Sequence, residues 1–225
     1  MTKPLENQQY FDTLWQEGAK GNKKPLSQLF KFKQFAGNPC FIVGGGPSLR
    51  GFDFSLLKGK YTIGINFILK VFHPWLLMTW DKVCYDWLLY QFYTCPLVVV
   101  DVDNSYRDNC YYVRSAGRYG LPYSIDRIFI GEHMGYAAIN LAIAMGFNPI
   151  YLLGFDYISI NGNYHVTDDW GHARDADDKF LRFRKEIDQM SGYLNGNSII
   201  NLSPMSALAS FPKKGIEEVI SESEK

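Results

Sequence analysis

The run CFIVGGGPSL at residues 40–49 restricts the possible folds more than any other part of this chain. Its first half, Cys40–Val43, has the length and the β-branched character of a buried strand. The loop that follows consists of Gly44, Gly45, Gly46, Pro47 and Ser48. Glycines adopt backbone angles closed to other residues and proline suits the first turn of a helix, so we expect backbone N–H groups that face an anion. The phosphate of a nucleotide is the expected ligand, and the alternative is a tight turn that binds nothing, because the run matches neither common phosphate-binding motif.

Short apolar strands alternate with helical segments along the rest of the chain. Four of them end in a polar side chain: YTIGIN at Asn66, WLLMTWD at Asp81, PLVVVD at Asp101 and NPIYLLGFD at Asp156. Apolar strands separated by helices predict an α/β fold that is Rossmann-like and doubly wound, with a mostly parallel sheet and helices on both faces. Ligands of such sheets bind outside the carboxyl ends of the strands. We therefore expect these polar side chains and the glycine loop to lie along one edge.

Changes in composition along the chain indicate its domain organisation. Residues 1–37 predict an N-terminal helical arm, residues 38–212 the Rossmann-like nucleotide-binding domain, and residues 213–225 a charged tail. Within the domain, residues 104–130 are rich in Tyr and Arg and lack periodicity, which favours a lid insertion. Candidates for clamping phosphates in this lid are Arg114, Arg118 and Arg127, with ordinary solvation as the alternative. Candidates for stacking on a base are Tyr111, Tyr112 and Tyr119, with packing of the lid as the alternative.

Charge and cysteine content argue against several classes of protein. The 23 basic and 23 acidic residues balance, so we expect no broad electrostatic contact with nucleic acid or an anionic membrane. Lys70, His73 and Pro74 interrupt the longest apolar stretch, so no membrane span is expected. The first residues lack the apolar core of a signal peptide and the four cysteines show no C-x-x-C spacing, which favours a cytoplasmic protein with reduced thiols. A homo-oligomer is left open.

Three strand-end residues each have a functional and a structural interpretation. Asp81 is a candidate ligand of Mg²⁺ against donor phosphates, or else the N-cap of the next helix. Asn66 is a candidate for binding ribose, base or phosphate, or else a turn residue. Asp156 either orients a histidine or caps a loop.

Two of the four histidines lie in one polar loop, NGNYHVTDDWGHARDAD. An imidazole in such a loop would titrate near neutrality, and the neighbouring aspartates favour a general base or a metal ligand at His165 or His172. The spacing matches no zinc signature, and the alternative is a solvated loop. His133 begins the long apolar helix and is expected to approach the phosphates.

Several spaced motifs resemble those of known families. CFIVGGGPSL, IGIN and HPWLLMTWD resemble the opening of the MptE-like 6-hydroxymethylpterin diphosphokinases, and GYAAINLAIAMGFNPIYLLGFD resembles their downstream helix and strand. The architecture is also similar to that of the family-42 bacterial sialyltransferases, whose ending is matched here by LSPMSALASF. The resemblance covers roughly residues 38–212.

The resemblance implies a nucleotide-dependent transferase. Our leading hypothesis is MptE-like transfer of a diphosphate or similar group from a nucleotide donor to a small acceptor, with Mg²⁺ at Asp81. The alternatives are glycosyl transfer from a nucleotide sugar to a small-molecule or glycan acceptor without a metal, and a nucleotide-sensing module without catalysis. By resemblance the proton is handled by His172 or His165. The residues implied in nucleotide binding are Gly44, Gly45, Gly46, Pro47, Ser48, Asn66, Asp156 and Ser203.

Overall fold

The computed structural model describes residues 23–91, 93–101, 110–167, 176–194 and 196–223. In these residues the strands are β1 Lys24–Pro25, β2 Cys40–Val43, β3 Thr62–Ile65, β4 Leu76–Thr79, β5 Leu97–Val100, β6 Tyr111–Gly117, β7 Arg127–Phe129, β8 Ile150–Leu153 and β9 Ile199–Asn201. The α-helices are α1 Lys82–Leu88, α2 Met134–Met145, α3 Ala176–Met190 and α4 Ile216–Ser223. Short 3₁₀ helices cover Leu26–Gln28, Pro47–Leu49, Phe54–Leu57, Asn66–Lys70 and Ser191–Tyr193.

The strands form one sheet in the order β1-β6-β5-β4-β3-β2-β8-β9, with β7 beside β6. Neighbouring strands in the described chain all pair in parallel. In the middle of the sheet, Val43 lies opposite Gly64 of β3 and Leu153 of β8. Because β2 has β3 on one side and β8 on the other, the winding direction reverses there, and such a switch point is where doubly wound sheets bind ligands.

The two faces of the sheet belong to separate hydrophobic cores. Ile42 packs into the core that contains α2 and the end of α3, whereas its neighbours Phe41 and Val43 pack into the core that contains α1 and α4. This alternation follows from the pleat of a strand, which directs successive side chains to opposite faces. All twelve residues of α2 are buried, and among the described residues no helix combines the length and the apolarity needed to cross a bilayer. The expected doubly wound α/β architecture is thereby confirmed.

The described part of the expected N-terminal arm, residues 23–37, contains no α-helix. It forms β1, which pairs with β6, and a 3₁₀ turn. Leu26, Phe30 and Phe35 are buried in the main core, and both phenylalanine rings contact Trp75. These apolar side chains make residues 23–37 part of the domain, and residues 1–22 lie outside the described chain.

The described part of the expected lid, residues 110–130, is mostly sheet. β6 extends the sheet beyond β5, and β7 pairs with β6. Within β6, Tyr111 and Val113 are buried while Arg114 is exposed, which is the alternation of a half-buried strand. Residues 110–130 therefore extend the sheet in large part, and a lid in residues 104–109, which lie outside the described chain, stays a prediction.

The expected charged tail also packs onto the domain. Within α4, Ile216 and Val219 are buried in the second core. On its outer side, Lys214 forms ion pairs with Glu218 and Glu222. The segment up to residue 223 is thus an amphipathic surface helix, and residues 224–225 lie outside the described chain.

Candidate functional site

A cavity of about 190 Å³ lies at the switch point of the sheet, outside the carboxyl ends of β2, β3 and β8. Its wall is formed by the glycine loop after β2, Asn66 after β3, the loop after β8 and the first residues of α2 and α3. Tyr164 and His165 close one side. These segments lie far apart in the sequence. The order of the strands in the sheet brings the three loops together and so forms the cavity.

The glycine loop is held tightly against the loop after β8. The N–H groups of Gly44 and Gly46 donate to the carbonyls of Leu153 and Gly154 at 2.7 and 2.9 Å. A Cβ atom on Gly44 would lie 2.6 Å from the carbonyl oxygen of Gly154, so this approach requires glycine.

Most amides of the loop are consequently not available to an anion. The N–H of Ser48 donates to Oδ2 of Asp156 at 2.8 Å. Among the loop amides, the N–H of Gly45 is the one for which the described residues provide no acceptor. Ser48 itself is not on the cavity wall, whereas Pro47 is. The expected row of free amides is therefore reduced to Gly45, because the loop uses its other donors to bind the neighbouring segment.

His165 lies directly over Gly45. A Cβ atom on Gly45 would overlap Nε2 of His165, and the N–H of Val166 donates to the carbonyl of Gly45 at 2.8 Å. The N–H of Thr167 donates to Nδ1 of His165 at 3.2 Å. A neutral imidazole that accepts at Nδ1 carries its proton on Nε2, so the atom that faces the glycine loop is a donor. His172, the other candidate in this loop, lies outside the described residues.

Asn66 is fixed on the opposite side of the glycine loop. It has a positive φ of 52°, and its Oδ1 accepts a hydrogen bond from the hydroxyl of Thr79 at 2.9 Å. Asparagine tolerates this left-handed conformation better than most residues. With its oxygen engaged by the protein, the side chain can offer its NH₂ group to a ligand oxygen.

Asp156 is buried at the cavity wall with only one oxygen engaged. Its Oδ2 accepts from Ser48, and its Oδ1 has no partner among the described residues. Loss of solvent raises the pKa of this carboxyl group, and the bond from Ser48 partly opposes the shift. Ser203 lies behind this loop and outside the cavity wall, where its Oγ accepts a hydrogen bond from the N–H of Phe155 at 3.0 Å.

Asp81 is the N-cap of α1. Its Oδ1 accepts from the N–H groups of Val83 and Cys84 at 2.8 and 3.1 Å, and Asp81 is not on the cavity wall. Asp101, at the end of β5, binds Lys23 at 2.7 Å and also lies away from the cavity. No group of three or more His, Cys, Asp or Glu side chains in the described residues is placed to hold a metal ion. Magnesium at Asp81 stays a prediction.

The aromatic part of the wall was not expected from the sequence. Phe180 and Phe183 reach the cavity from the first turns of α3, together with Lys179, and Tyr157 reaches it from the loop after β8. The sequence contains one local indication of this aromatic wall, the two phenylalanines of the otherwise mostly charged segment DDKFLRF. Residues three positions apart lie on the same face of a helix, so the two rings can line one surface.

His133 precedes α2 and is packed between aromatic rings of this wall. Its ring lies 4.6 Å from that of Phe183 and 5.7 Å from that of Tyr157, measured between centroids. Loss of solvent lowers the pKa of His133 to about 3, against a smaller opposing effect of a hydrogen bond with the backbone of Phe183. This imidazole is therefore neutral at pH 7.

Two described residues of the Tyr/Arg-rich segment, Arg118 and Tyr119, bind Glu186, which is not on the cavity wall. This buried carboxylate accepts hydrogen bonds from the hydroxyl of Tyr119 at 2.8 Å and from Arg118 at 3.1 Å. Its other oxygen accepts from the N–H of Glu132 at 2.7 Å, directly before His133. Arg118, expected to clamp phosphate, instead binds Glu132 and Glu186 outside the cavity.

Comparisons with known proteins concern the fold. No family model and no curated protein matches the chain. The MAf glycosyltransferase from Magnetospirillum magneticum AMB-1 has a similar structure, with a TM-score of 0.55 and 17% identity over 96% of this chain and 39% of that chain. The sialyltransferase CstII from Campylobacter jejuni, in complex with the substrate analogue CMP-3FNeuAc, has a TM-score of 0.43 and 16% identity over 78% of this chain and 85% of that chain. The chain thus spans 39% of the length of MAf, and the MptE-like resemblance stays a prediction from motifs.

Proposed function

We propose that this chain is a nucleotide-dependent transferase of the glycosyltransferase type, with a nucleotide sugar as donor. The observation that carries the proposal is the cavity at the switch point, where the glycine loop, Asn66 and His165 meet. This crevice is the usual nucleotide site of doubly wound sheets. A solved structure that shares the fold over 96% of this chain, MAf, is a glycosyltransferase, which supports the same choice.

The charges of the cavity favour glycosyl transfer over our first expectation, diphosphate transfer. Removal of a diphosphate from ATP requires groups that hold three phosphates. In the described part of the wall, Lys179 carries the one ammonium or guanidinium group, and the amides of Gly44, Gly46 and Ser48 are engaged by the protein. A nucleotide sugar has one or two phosphates and needs fewer donors.

The donor groups and the aromatic rings of the cavity wall would have different roles in the chemistry. In glycosyl transfer the acceptor hydroxyl forms a bond to the anomeric carbon, the bond from that carbon to the phosphate oxygen breaks, and negative charge develops on the departing nucleotide. Lys179 and the N–H of Gly45 would stabilise this charge. Nε2–H of His165 would donate to the same phosphate, while Tyr157, Tyr164 and Phe180 offer surfaces for stacking. Uptake of the acceptor proton by His172 is a prediction outside the described residues.

A thermal-shift panel tests the proposal. CMP, UDP, GDP, the corresponding nucleotide sugars and ATP are compared with and without Mg²⁺. We expect a nucleotide sugar to stabilise the protein without Mg²⁺, by about 2.7 kcal/mol at a hundredfold excess over Kd. Release of the nucleotide in the presence of a mixture of sugar acceptors is measured next.

Gly45→Val is the informative variant, because a Cβ atom there overlaps His165. Gly192→Val is its matched control, since a Cβ atom at Gly192 meets no atom within 4 Å. Only the first should lose ligand-induced stabilisation. Binding of ATP that needs Mg²⁺ and yields AMP would restore the diphosphate-transfer hypothesis, and binding without any product would favour a sensing module.

A further inference from the structure

Asn66 keeps an unused hydrogen-bond donor at the cavity wall. Its Oδ1 accepts from the hydroxyl of Thr79 at 2.9 Å, while its Nδ2 has no hydrogen-bond partner among the described residues. Asn66 is half-buried, and its Nδ2 is not one of the buried polar atoms that lack a partner. The NH₂ group is therefore accessible, on a residue that lines the cavity, and can donate to a ligand.

Thr79, at the end of β4, determines which end of the Asn66 amide is left for a ligand. Its Oγ1 accepts from the N–H of Asp81 at 3.1 Å, and its one hydroxyl proton is directed to Oδ1 of Asn66. Because the oxygen of the amide is held by Thr79, the nitrogen lies at the other end. Thr79 itself is fully buried and is not on the cavity wall, so it has no contact with the contents of the cavity.

The same hydrogen bond supports the backbone of Asn66. This residue follows β3 directly and has a positive φ of 52°, a conformation that costs free energy in any residue except glycine. Strands β3 and β4 are neighbours, with Ile65 opposite Met78, which brings Asn66 beside Thr79. The bond between the two side chains thus joins the ends of two strands and fixes the position of the donor.

We infer that Thr79 is a positioning residue of the nucleotide site, which holds Asn66 so that its NH₂ group donates to an oxygen of the bound nucleotide. The inference rests on the proposed function. The oxygen belongs either to a phosphate or to a carbonyl of the base, since both accept hydrogen bonds. Thr79 acts through Asn66 and not on the ligand itself.

The first test needs no ligand. Nitrogen-15 relaxation of the side-chain amides is measured, and the NH₂ signal of Asn66 is identified by its disappearance in Asn66→Ala. We expect this group to be rigid in the parent and in Thr79→Ser, which keeps the hydroxyl, and its order parameter to fall below about 0.6 in Thr79→Val. An amide that stays as rigid in Thr79→Val as in the parent would overturn the inference.

The second test measures binding by calorimetry in the parent, Thr79→Val and Thr79→Ser. Valine has the shape of threonine but no hydroxyl, so it releases the Asn66 amide. Thr62→Val is the matched control. Thr62 is 2% exposed, lies off the cavity wall, and its Oγ1 accepts from the N–H of Trp75 at 2.8 Å, so the control also removes a buried hydrogen bond to a backbone amide.

The probes are UMP, CMP, AMP and inorganic phosphate. We expect Thr79→Val to weaken nucleotide binding about tenfold, the equivalent of one hydrogen bond, while Thr79→Ser and Thr62→Val keep the parental affinity. If Asn66 donates to a phosphate, all three nucleotides and inorganic phosphate are affected. If it donates to a base carbonyl, UMP and CMP are affected and AMP is not, because adenine has no carbonyl group.

Substitutions of Asn66 separate positioning from a general loss of structure. In the Asn66→Ala background, Thr79→Val should change the affinity less than about twofold, because Thr79 then has no amide to hold. Asn66→Asp keeps the size of the side chain but replaces the NH₂ group by an oxygen, so it should bind at least about tenfold more weakly than the parent. Parental affinity in Asn66→Asp would show that the amide oxygen faces the ligand, and would overturn the inference.

The remaining outcomes distinguish the inference from the proposed function. Nucleotides that bind the parent and Thr79→Val equally well overturn the inference and leave the proposed function standing, as does a tenfold loss that persists in the Asn66→Ala background. Inorganic phosphate that binds with the expected dependence on Thr79, while no nucleotide binds, would refute the proposed function but not the inference. Absence of binding by every probe overturns both.

Discussion

The burial of His133 predicts a measurable pH dependence of folding. In the folded protein its pKa is lowered from 6.5 to about 3, so the unfolded chain takes up a proton here before the folded one does. Stability from this group is complete above pH 6.5 and is lost as the pH falls toward 3. At pH 5, His133 is still unprotonated in the folded state, whereas its protonation in the unfolded state raises the ratio of unfolded to folded protein about 30-fold relative to pH 8. The free energy of unfolding is therefore about 2 kcal/mol lower at pH 5 than at pH 8.

Urea denaturation of the parent and of His133→Phe at several pH values from 8 to 5 isolates this contribution. The quantity compared is the change in the free energy of unfolding with pH, which should be about 2 kcal/mol larger in the parent. Asp156 acts with the opposite sign, because its raised pKa lets the folded state bind its proton first, but it is present in both proteins. His73→Phe should keep the parental dependence because it leaves His133 in place. Identical pH dependence in the parent and His133→Phe would refute the assignment of His133 as a buried neutral imidazole.

Substitutions at Gly44, Asp81 and Glu186 test local contacts by urea denaturation or ligand binding. Gly44→Ala should cost about 1–3 kcal/mol of stability, because its Cβ atom would lie 2.6 Å from a backbone oxygen. The control Gly192→Ala, whose Cβ atom meets no atom within 4 Å, should change the stability by less than about 0.5 kcal/mol. Equal losses of stability in the two variants would contradict the close approach at Gly44. Asp81→Ala should lose about 1 kcal/mol and Asp81→Asn much less, because asparagine also caps helices; an Asn variant that is stable but loses Mg²⁺-dependent binding would instead indicate a metal ligand. Glu186→Ala should cost roughly 1–3 kcal/mol by leaving the N–H of Glu132 unpaired, with a smaller loss for Glu186→Gln, and an unchanged Ala variant would show that this bond contributes nothing.

The sequence by itself determined the architecture, because it depends on local patterns. Short apolar runs separated by helical segments suffice to predict a parallel sheet covered on both faces, and the glycine run marks the turn after β2. The same local logic failed for residues 110–130 and for residues 23–37. Strand β6 carries a weak alternation within a polar composition, and the turns around Phe30 and Phe35 depend on burial against Trp75, more than thirty residues away.

Only the tertiary structure decided which strand-end residues share a site. All of them follow carboxyl ends of strands, but the lateral order of strands is a long-range property that periodicity does not encode. Because β2 lies between β3 and β8, the glycine loop, Asn66 and Asp156 meet, whereas Asp81 after β4 lies outside the cavity and caps a helix. The state of His133 was beyond reach for the same physical reason. Whether an imidazole is hydrated or enclosed depends on the side chains that pack around it, and Phe183 is brought to His133 only when α3 folds onto the sheet.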